Sequence, residues 1–382
     1  MTTDCPVHWV DTPIALEAMV ADCLSAEVIA LDTEFERSHT FFAQPCLIQL
    51  CDGKKVYLLD PIAIPDLTPL GALLAEPGIT KVLHACSEDL QLLQRTVKRL
   101  PQPLFDTQLA AALAGLGNSV GYQRLVAEVL DKSLGKAETR SNWQDRPLSS
   151  AQLQYAVDDV WYLHQLYYAL VKLLAAQGRT QWVLNDGAAL CAEYQVTTDL
   201  TNYYRQIKQA WRLYPRELAI LQALATWREQ QLLARDIPRN HLLGDQLLWQ
   251  IARRKPRYKA QLATIKGIKS SVIKRDGDTI LNCVRQGMVI KEENLPERLP
   301  KPLPPSSKRY VKKGKQWLAV KAEALQIPVE VLMPKKPFQA IIRSGLYDNV
   351  FRWSMDEDNW RYHCFGQELV AYLNEIKQGL VS

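Results

Sequence analysis

The side chains most able to do chemistry in this sequence lie in three well-separated segments. Asp32 and Glu34 fall in VIALDTEFE, Asp89 in KVLHACSEDLQLL, and Tyr155 with Asp159 in QYAVDDVWYL. Each segment alone is compatible with a solvated surface, because acidic residues are common at strand ends and in first helical turns. Together the four carboxylates offer oxygen ligands for two divalent cations, and the phenol can handle an attacking water. The combination points to metal-assisted phosphodiester cleavage.

The elements that must position these groups follow from the local pattern. Val28, Ile29, Ala30 and Leu31 form a continuous apolar run, which predicts a strand buried on both faces. The period of two then puts Asp32 and Glu34 on one face. Two adjacent carboxylates repel and lose solvation, so they need a compensating cation. A second short strand is predicted over 81–85, with Ser87 as N-cap of the next helix. Asp89 would lie in that helix's first turn, where the macrodipole favours an anion. Ser149 and Gln152 have capping-box spacing and open a helix through Leu153, Val157, Val160 and Leu163. Tyr155 and Asp159, four residues apart, share one face of it, and Asp158 points elsewhere as a solvated neighbour.

Composition fits a cytoplasmic protein of two or three domains. The chain has 382 residues, 47% of them hydrophobic, which is ample for several cores. No basic-then-apolar leader opens the sequence, and the apolar stretch 162–176 is broken by His164, Gln165 and Lys172, so no membrane span is expected. The 8 cysteines show no C-x-x-C spacing, which argues against a zinc knuckle or a disulfide framework. Cys46, Cys51 and Cys86 sit on apolar stretches and read as reduced core residues. The formal net charge of +5 hides a division: residues 1–209 are net acidic, with 16 Lys+Arg against 24 Asp+Glu, and the remainder is strongly basic. Clusters such as Arg253-Arg254-Lys255 and Lys312-Lys313 fit phosphate backbones. This division predicts that a chain ended near residue 209 still cleaves but loses grip on longer nucleic acid.

The domain organisation follows the same division. Residues 1–170 read as an α/β domain with strands near 28–34, 46–51, 55–60 and 81–85, and Asp52-Gly53 is a hairpin signal. Residues 171–209 read as a helical connector, 210–290 as a helical domain, 291–309 as a Pro-rich linker, and 310–382 as a second helical domain. Residues 236–252 align without gaps with 326–342: Ile237 and Pro238 meet Ile327 and Pro328, and Leu242, Leu248 and Ile251 meet Leu332, Phe338 and Ile341. Trp227 meets Trp317 at the same offset. An internal duplication explains the pattern.

LDTEF, LHACSEDL and Y-A-V-D-D resemble the three exonuclease motifs of the DEDD superfamily, in the subgroup whose third motif is Y-x-x-x-D. The stretch RPLS followed by QLQYAVDDVWYL is most similar to the ribonuclease D family, and both helical copies resemble the HRDC module, the second in a diverged form that lacks the IKGI turn. The resemblance implies a ribonuclease H-like α/β domain with a mixed sheet, followed by two small all-α HRDC-type domains. It implies a 3′-to-5′ exoribonuclease releasing nucleoside 5′-monophosphates. Asp32, Glu34, Asp89 and Asp159 would hold two cations, Mg²⁺ or Mn²⁺, and Tyr155 would orient the water. Thr33, Phe35 and His84 are candidates for substrate contact, with core packing the competing role for Phe35 and His84. The implied partner is RNA, with precursor tRNA 3′ ends as substrate and a monomer as the working form. A DNA exonuclease of the same superfamily and a non-catalytic nucleic-acid adaptor are the alternatives, since the carboxylates do not distinguish RNA from DNA.

Overall fold

The computed structural model describes residues 5–135, 138, 141–195, 199–238 and 241–379. Six strands form one mixed sheet: β1 (Val7–Val10), β2 (Val28–Glu36), β3 (Gln44–Cys51), β4 (Val56–Leu59), β5 (Thr80–Leu83) and β6 (Leu104–Asp106), in the order β1-β4-β3-β2-β5-β6. β3 and β4 pair antiparallel, with Cys51 opposite Val56. Their turn is built as the Asp52-Gly53 signal predicts: Gly53 has φ +84°, and Asp52 Oδ1 accepts from the Lys54 and Lys55 amides. β2 and β5 run parallel, with Val28 beside Thr80. The two edge strands are absent from the sequence reading. β6 is three residues long behind a proline-containing turn, and β1 is mostly exposed, so neither shows a two- or three-repeat apolar pattern.

Helices cover both faces of the sheet. The first seven are α1 (Pro13–Cys23), α2 (Leu70–Ala75), α3 (Ser87–Thr96), α4 (Thr107–Leu113), α5 (Tyr122–Leu130), α6 (Ser150–Ala175) and α7 (Thr180–Gln195). Alternation along β2 separates two cores. Ile29 and Leu31 face α1, α2 and α3, whereas Val28 and Ala30 face α4, α5 and α6. They are followed by α8 (Pro215–Arg235), α9 (Asp245–Arg254), α10 (Lys259–Ala263) and α11 (Ser270–Val289), then α12 (Lys308–Leu325), α13 (Val329–Leu332), α14 (Lys335–Tyr347) and α15 (Gln367–Gln378).

The described residues divide into two compact units: residues 1–36, 45–196 and 303–382 in one, and 37–44 with 197–302 in the other. This corrects the connector expected over 171–209. α7 belongs to the first unit: a Cβ on Gly187 would lie 2.3 Å from the Leu104 carbonyl oxygen, and Cys191 is buried with its thiol 3.2 Å from the Pro101 carbonyl. Residues 196–198 lie outside the described residues. In the second unit α8 packs along α11, close enough that a Cβ on Gly287 would meet the Ile220 backbone at 2.6 Å. The fully buried Arg228 is matched by Glu229 at 2.8 Å, by Asp245 at 2.7 Å and by the Leu243 carbonyl. The loop that leaves β2 also lies in this unit, where Asp236 Oδ1 accepts from the amides of Phe41 and Phe42 at 3.0 Å.

A second correction concerns the C-terminal helices, which pack within the first unit rather than standing apart. Trp360 stacks on Trp182 at 4.1 Å and 5°, and Arg361 pairs with Asp186 through both carboxylate oxygens at 2.7 and 2.8 Å. Arg179 donates to the carbonyls of Leu113 and Leu325. A chain ended after residue 209 would therefore lose the partners of Trp182 and Asp186 and expose apolar surface of α4 and α7. Such a fragment should melt at a lower temperature than the whole chain and aggregate, contrary to the expectation from charge alone. Soluble yield and thermal melts would check this, and a monodisperse fragment melting with the parent would refute it.

The two copies of the duplicated segment match in backbone. α8 ends on Asp236 and α12 on Gln326, both in the left-handed region at φ +44° and +55°, and each is followed by an Ile-Pro pair. Leu242, Leu248 and Ile251 are buried in one copy, and Leu332, Phe338 and Ile341 in the other.

Candidate active site

β2 carries the first two carboxylates to the end of the sheet. Because Val28 and Ala30 face α6, alternation delivers Asp32 and Glu34 to that same side. α6 supplies the third. Its start is fixed by the capping box that the sequence shows: the Gln152 amide donates to Ser149 Oγ at 3.2 Å, and the Ser149 amide donates to Gln152 Oε1 at 2.9 Å. Two turns on, Asp159 is buried, and one oxygen of each of Asp32, Glu34 and Asp159 lies within 4.8 Å of the others.

Asp89 stands beside this cluster, held separately. The predicted capping by Ser87 does not occur: α3 begins at Ser87 with no side-chain cap. The preceding turn is instead held by Asp106, whose carboxylate accepts from the Ala85 and Cys86 amides at 3.1 Å each and also caps α4. Ala85 has φ +55°, a conformation that a non-glycine residue keeps only when its surroundings impose it. Asp89 itself accepts a hydrogen bond from the Thr33 hydroxyl. Thr33 is 6% exposed, and its hydroxyl is spent on Asp89.

The charge state of the cluster follows from burial and crowding. Burial, with the charges of Asp159, Asp89 and Glu34, holds Asp32 well above the usual carboxylate range. Burial with the charges of Asp159 and Asp89 pushes Glu34 up to about 8. Asp159 rises to about 7 through burial, against the hydrogen bond from Tyr155. Asp89 rises to about 6 through burial, against the Thr33 hydroxyl. The principal charges acting on Asp32 and Glu34 are all negative. Four oxygen-bearing acids in this state fit hard divalent cations, which would restore the ionised forms.

Each of these acids has a higher pKa folded than unfolded, so the native state binds more protons between about pH 4 and pH 8. In metal-free buffer their contribution is fullest below the unfolded values and is lost as pH rises through 6, 7 and 8. Melts in EDTA should therefore show the wild type losing ground to Asp32→Asn as pH rises, and a divalent cation should close the gap. Parallel pH profiles for the two proteins in EDTA would count against this charge assignment.

Tyr155 donates to the Asp159 carboxylate, and burial together with Asp159, Glu34 and Asp32 raises its pKa. It therefore stays protonated near neutral pH and serves as a hydrogen-bond donor. Its ring lies 6.0 Å from that of the buried Trp143. Arg146, in the RPLS stretch, ties this loop down: it grips Asp60 through two 2.8 Å bonds and donates to the Cys46 and Trp143 carbonyls. A cleft of about 290 Å³ opens beside Tyr155 and Asp159, lined also by Gln123, Leu134, Gln154 and Asp158.

The remaining expectations divide. His84 is turned into the protein, with Nδ1 2.9 Å from Thr107 Oγ1 and its ring edge on Tyr122 at 5.6 Å, so it takes the packing role. Phe35 is half-buried at the end of β2, one residue beyond Glu34. Asp158 is half-buried and accepts from Gln154 Nε2 at 2.9 Å. Tyr122 has no counterpart in the sequence analysis: its hydroxyl donates to the backbone carbonyls of Asp158 and Asp159, at 2.9 and 2.7 Å, anchoring α6 at the turn that bears Asp159. No local pattern announces it. Asp106 was legible in principle as an N-cap acid before α4.

Comparison with known proteins agrees with this geometry. Residues 7–175 match a family model described as 3′-5′ exonuclease, and residues 217–284 match the HRDC domain. A ribonuclease D of Pseudomonas paraeruginosa is 39% identical over 367 residues, covering 96% of this chain and 97% of that protein. The chain belongs to the ribonuclease D family. The ribonuclease D of Escherichia coli K12 is 32% identical over 380 residues. The crystal structure of E. coli RNase D, described as an exoribonuclease involved in structured RNA processing, superposes with a TM-score of 0.89, covering 97% of this chain and 99% of that one. As a ribonuclease D family member, this protein is a 3′-5′ exoribonuclease, and its exonuclease family depends on divalent metal. Among the described residues no helix is long and apolar enough to cross a membrane.

Proposed function

We propose that Asp32, Glu34, Asp89 and Asp159 hold two Mg²⁺ or Mn²⁺ ions, and that Tyr155 positions the water that cleaves the terminal phosphodiester of RNA. The observation that carries this reading is the convergence of Asp32, Glu34 and Asp159 within 4.8 Å, with the Tyr155 phenol bonded to Asp159. Bound there, the cations supply Lewis-acid stabilisation of the phosphoryl oxygens and a lowered pKa for water. The protein's own side chains do the rest. Thr33 fixes Asp89, Tyr122 fixes the turn of α6 that bears Asp159, and Arg146 fixes the loop behind Tyr155. The protonated Tyr155 phenol would donate toward the attacking water's oxygen, and cations held by the four carboxylates would supply the lowered pKa of that water. The cleft lined by Gln123, Leu134 and Gln154 has room for a terminal nucleotide.

The substrate we infer is precursor tRNA and other structured RNA with a free 3′-OH, released as nucleoside 5′-monophosphates. The relatives' name supports RNA, and the basic half beyond residue 210 supports a grip on structured phosphate backbones. All proposed site residues come from one chain, consistent with a working monomer. The eight free cysteines suit a reducing compartment, which we take to be the cytoplasm. We read 1–170 as the core of the exonuclease domain, 210–290 as its first HRDC domain and 310–382 as a diverged second copy, supported by the matched left-handed caps at Asp236 and Gln326. Digestion of matched RNA and DNA oligonucleotides, with free and blocked 3′ ends and with and without Mn²⁺, tests the reading. Metal-dependent shortening of RNA alone from free ends is expected. Equal cleavage of DNA would replace the RNA assignment, and cleavage of blocked ends would refute the exonucleolytic one.

A further inference from the structure

Asp106 makes more bonds than the cap of one helix requires. It ends β6, beside Leu83 at the end of β5, and its carboxylate lies between the starts of α3 and α4. Oδ1 accepts from the amides of Gln108 at 2.8 Å, Leu109 at 3.3 Å and Ala85 at 3.1 Å. Oδ2 accepts from the Cys86 amide at 3.1 Å, and the Cys86 thiol is a further donor to this carboxylate. Asp106 is buried, and among the described residues no cation pairs with it. Ser, Thr or Asn would cap α4 as well. What the carboxylate adds is its reach across to Ala85 and Cys86, the turn that leads into α3.

That turn needs to be held. Ala85 has φ +55°, which an alanine left to itself abandons for negative φ, and α3 has no side-chain cap of its own. Thr107 laces the same two segments together: its hydroxyl donates to the Leu83 carbonyl at 3.1 Å, and its oxygen lies 2.9 Å from His84 Nδ1. Asp89 follows Cys86 by three residues, in the first turn of α3. A change of φ at Ala85 therefore swings the helix start and carries the Asp89 carboxylate with it. A divalent cation holds oxygen ligands at about 2.0–2.6 Å, so a shift of about 1 Å takes one out of reach. Thr33 bonds the Asp89 side chain but not the backbone beneath it.

We propose that Asp106 is a positioning residue for the metal centre: by clamping the Ala85–Cys86 turn it sets where Asp89 stands, and thereby the affinity for a divalent cation. The proposal rests on the reading of Asp89 as a ligand, and Asp106 acts only through it.

The test uses the full chain and Mn²⁺ alone, titrated by calorimetry into chelator-treated protein without RNA, below the melting temperature of every variant. In Asp106→Ser the hydroxyl still caps α4 but is too short to hold the Ala85–Cys86 turn as well. Its Kd for Mn²⁺ should rise about tenfold or more, the usual effect of losing a group that orients a ligand. In a nuclease assay the metal midpoint should rise likewise, with kcat at saturating Mn²⁺ within about threefold of the parent. Adding Ala85→Gly should recover most of the lost affinity, because glycine takes the positive φ without help. Thr12→Ala, which removes the N-cap of α1, should lower the melting temperature and leave the Kd unchanged. If Asp106→Ser does not fold, Asp106→Asn carries the same test, since it caps α4 but turns a donor toward the Cys86 amide. An Asp106→Ser protein that melts lower yet binds Mn²⁺ like the parent overturns the proposal while the exoribonuclease reading stands. Lost affinity that Ala85→Gly does not recover assigns the effect to the carboxylate's charge and also overturns it. A parent that binds no Mn²⁺, or an Asp32→Asn variant that binds it like the parent, overturns the ligand reading itself.

Discussion

Asp32→Asn and Asp159→Asn should each abolish RNA hydrolysis, by about 10³-fold or more, while the metal-free protein melts no lower than wild type. The two halves of this expectation have one cause. Asp32 is half-buried and faces the negative charges of Asp159, Asp89 and Glu34, and Asp159 is buried with the Tyr155 phenol bonded to it. In the absence of a cation each negative charge opposes its neighbours, so removing one relieves the fold. Asn keeps the shape and a hydrogen-bonding oxygen but not the charge that a hard cation requires. A metal centre contributes several kcal/mol at the transition state, and about 4 kcal/mol corresponds to 10³ in rate. Circular dichroism melts in EDTA and a nuclease assay at saturating Mn²⁺ should be run on the same preparations. Retained activity in either variant would sink the ligand assignment. A lower melting temperature in EDTA would show that the carboxylate has a structural partner.

What the sequence revealed, and what it hid, divides by the range of the interactions involved. Asp32, Glu34, Tyr155 and Asp159 were legible because strand and helix periodicities fix their directions locally, and the Ser149–Gln152 box fixes where α6 starts. The hydrogen bond of Thr33 was hidden for the opposite reason. Its neighbour in space, Asp89, is 56 residues away, and only the fold shows that the hydroxyl is spent on it. Tyr122 reaches 36 and 37 residues along the chain to the α6 backbone, and no periodicity marks such a contact. The sheet centre was readable from apolar runs, while β1 and β6 were not, because short edge strands lack a repeat long enough to count. Charge misled about domain structure. Residues 303–382 share the basic character of 210–302, yet the Trp182–Trp360 stack and the Arg361–Asp186 pair place them with the acidic half. Net charge reports on partners, not on which helices pack together.

Tyr155→Phe, which removes one oxygen, should lower kcat by about 10²–10⁴ and leave RNA binding nearly unchanged, the range found for groups that handle a proton in the transition state. The ring has an independent reason to stay in place, since it packs near Trp143 in a loop that Arg146 holds against Asp60. Phe should therefore occupy the same space, and the lost function is confined to the hydroxyl. Two effects on Asp159 accompany the loss. The hydrogen bond from the phenol lowers the pKa of Asp159, so without it the carboxyl holds its proton to a higher pH. More protons then have to leave before a cation can bind, and the midpoint for metal activation should move to higher metal concentration, most visibly below pH 7. Saturating Mn²⁺ at pH 8 removes both effects on Asp159 and isolates the direct action of the hydroxyl. If kcat at pH 8 and saturating Mn²⁺ equals that of wild type, the phenol acts only through Asp159, and the assignment of Tyr155 to the attacking water fails. If kcat stays depressed there while Kd for RNA is unchanged, the hydroxyl acts at the reacting atoms.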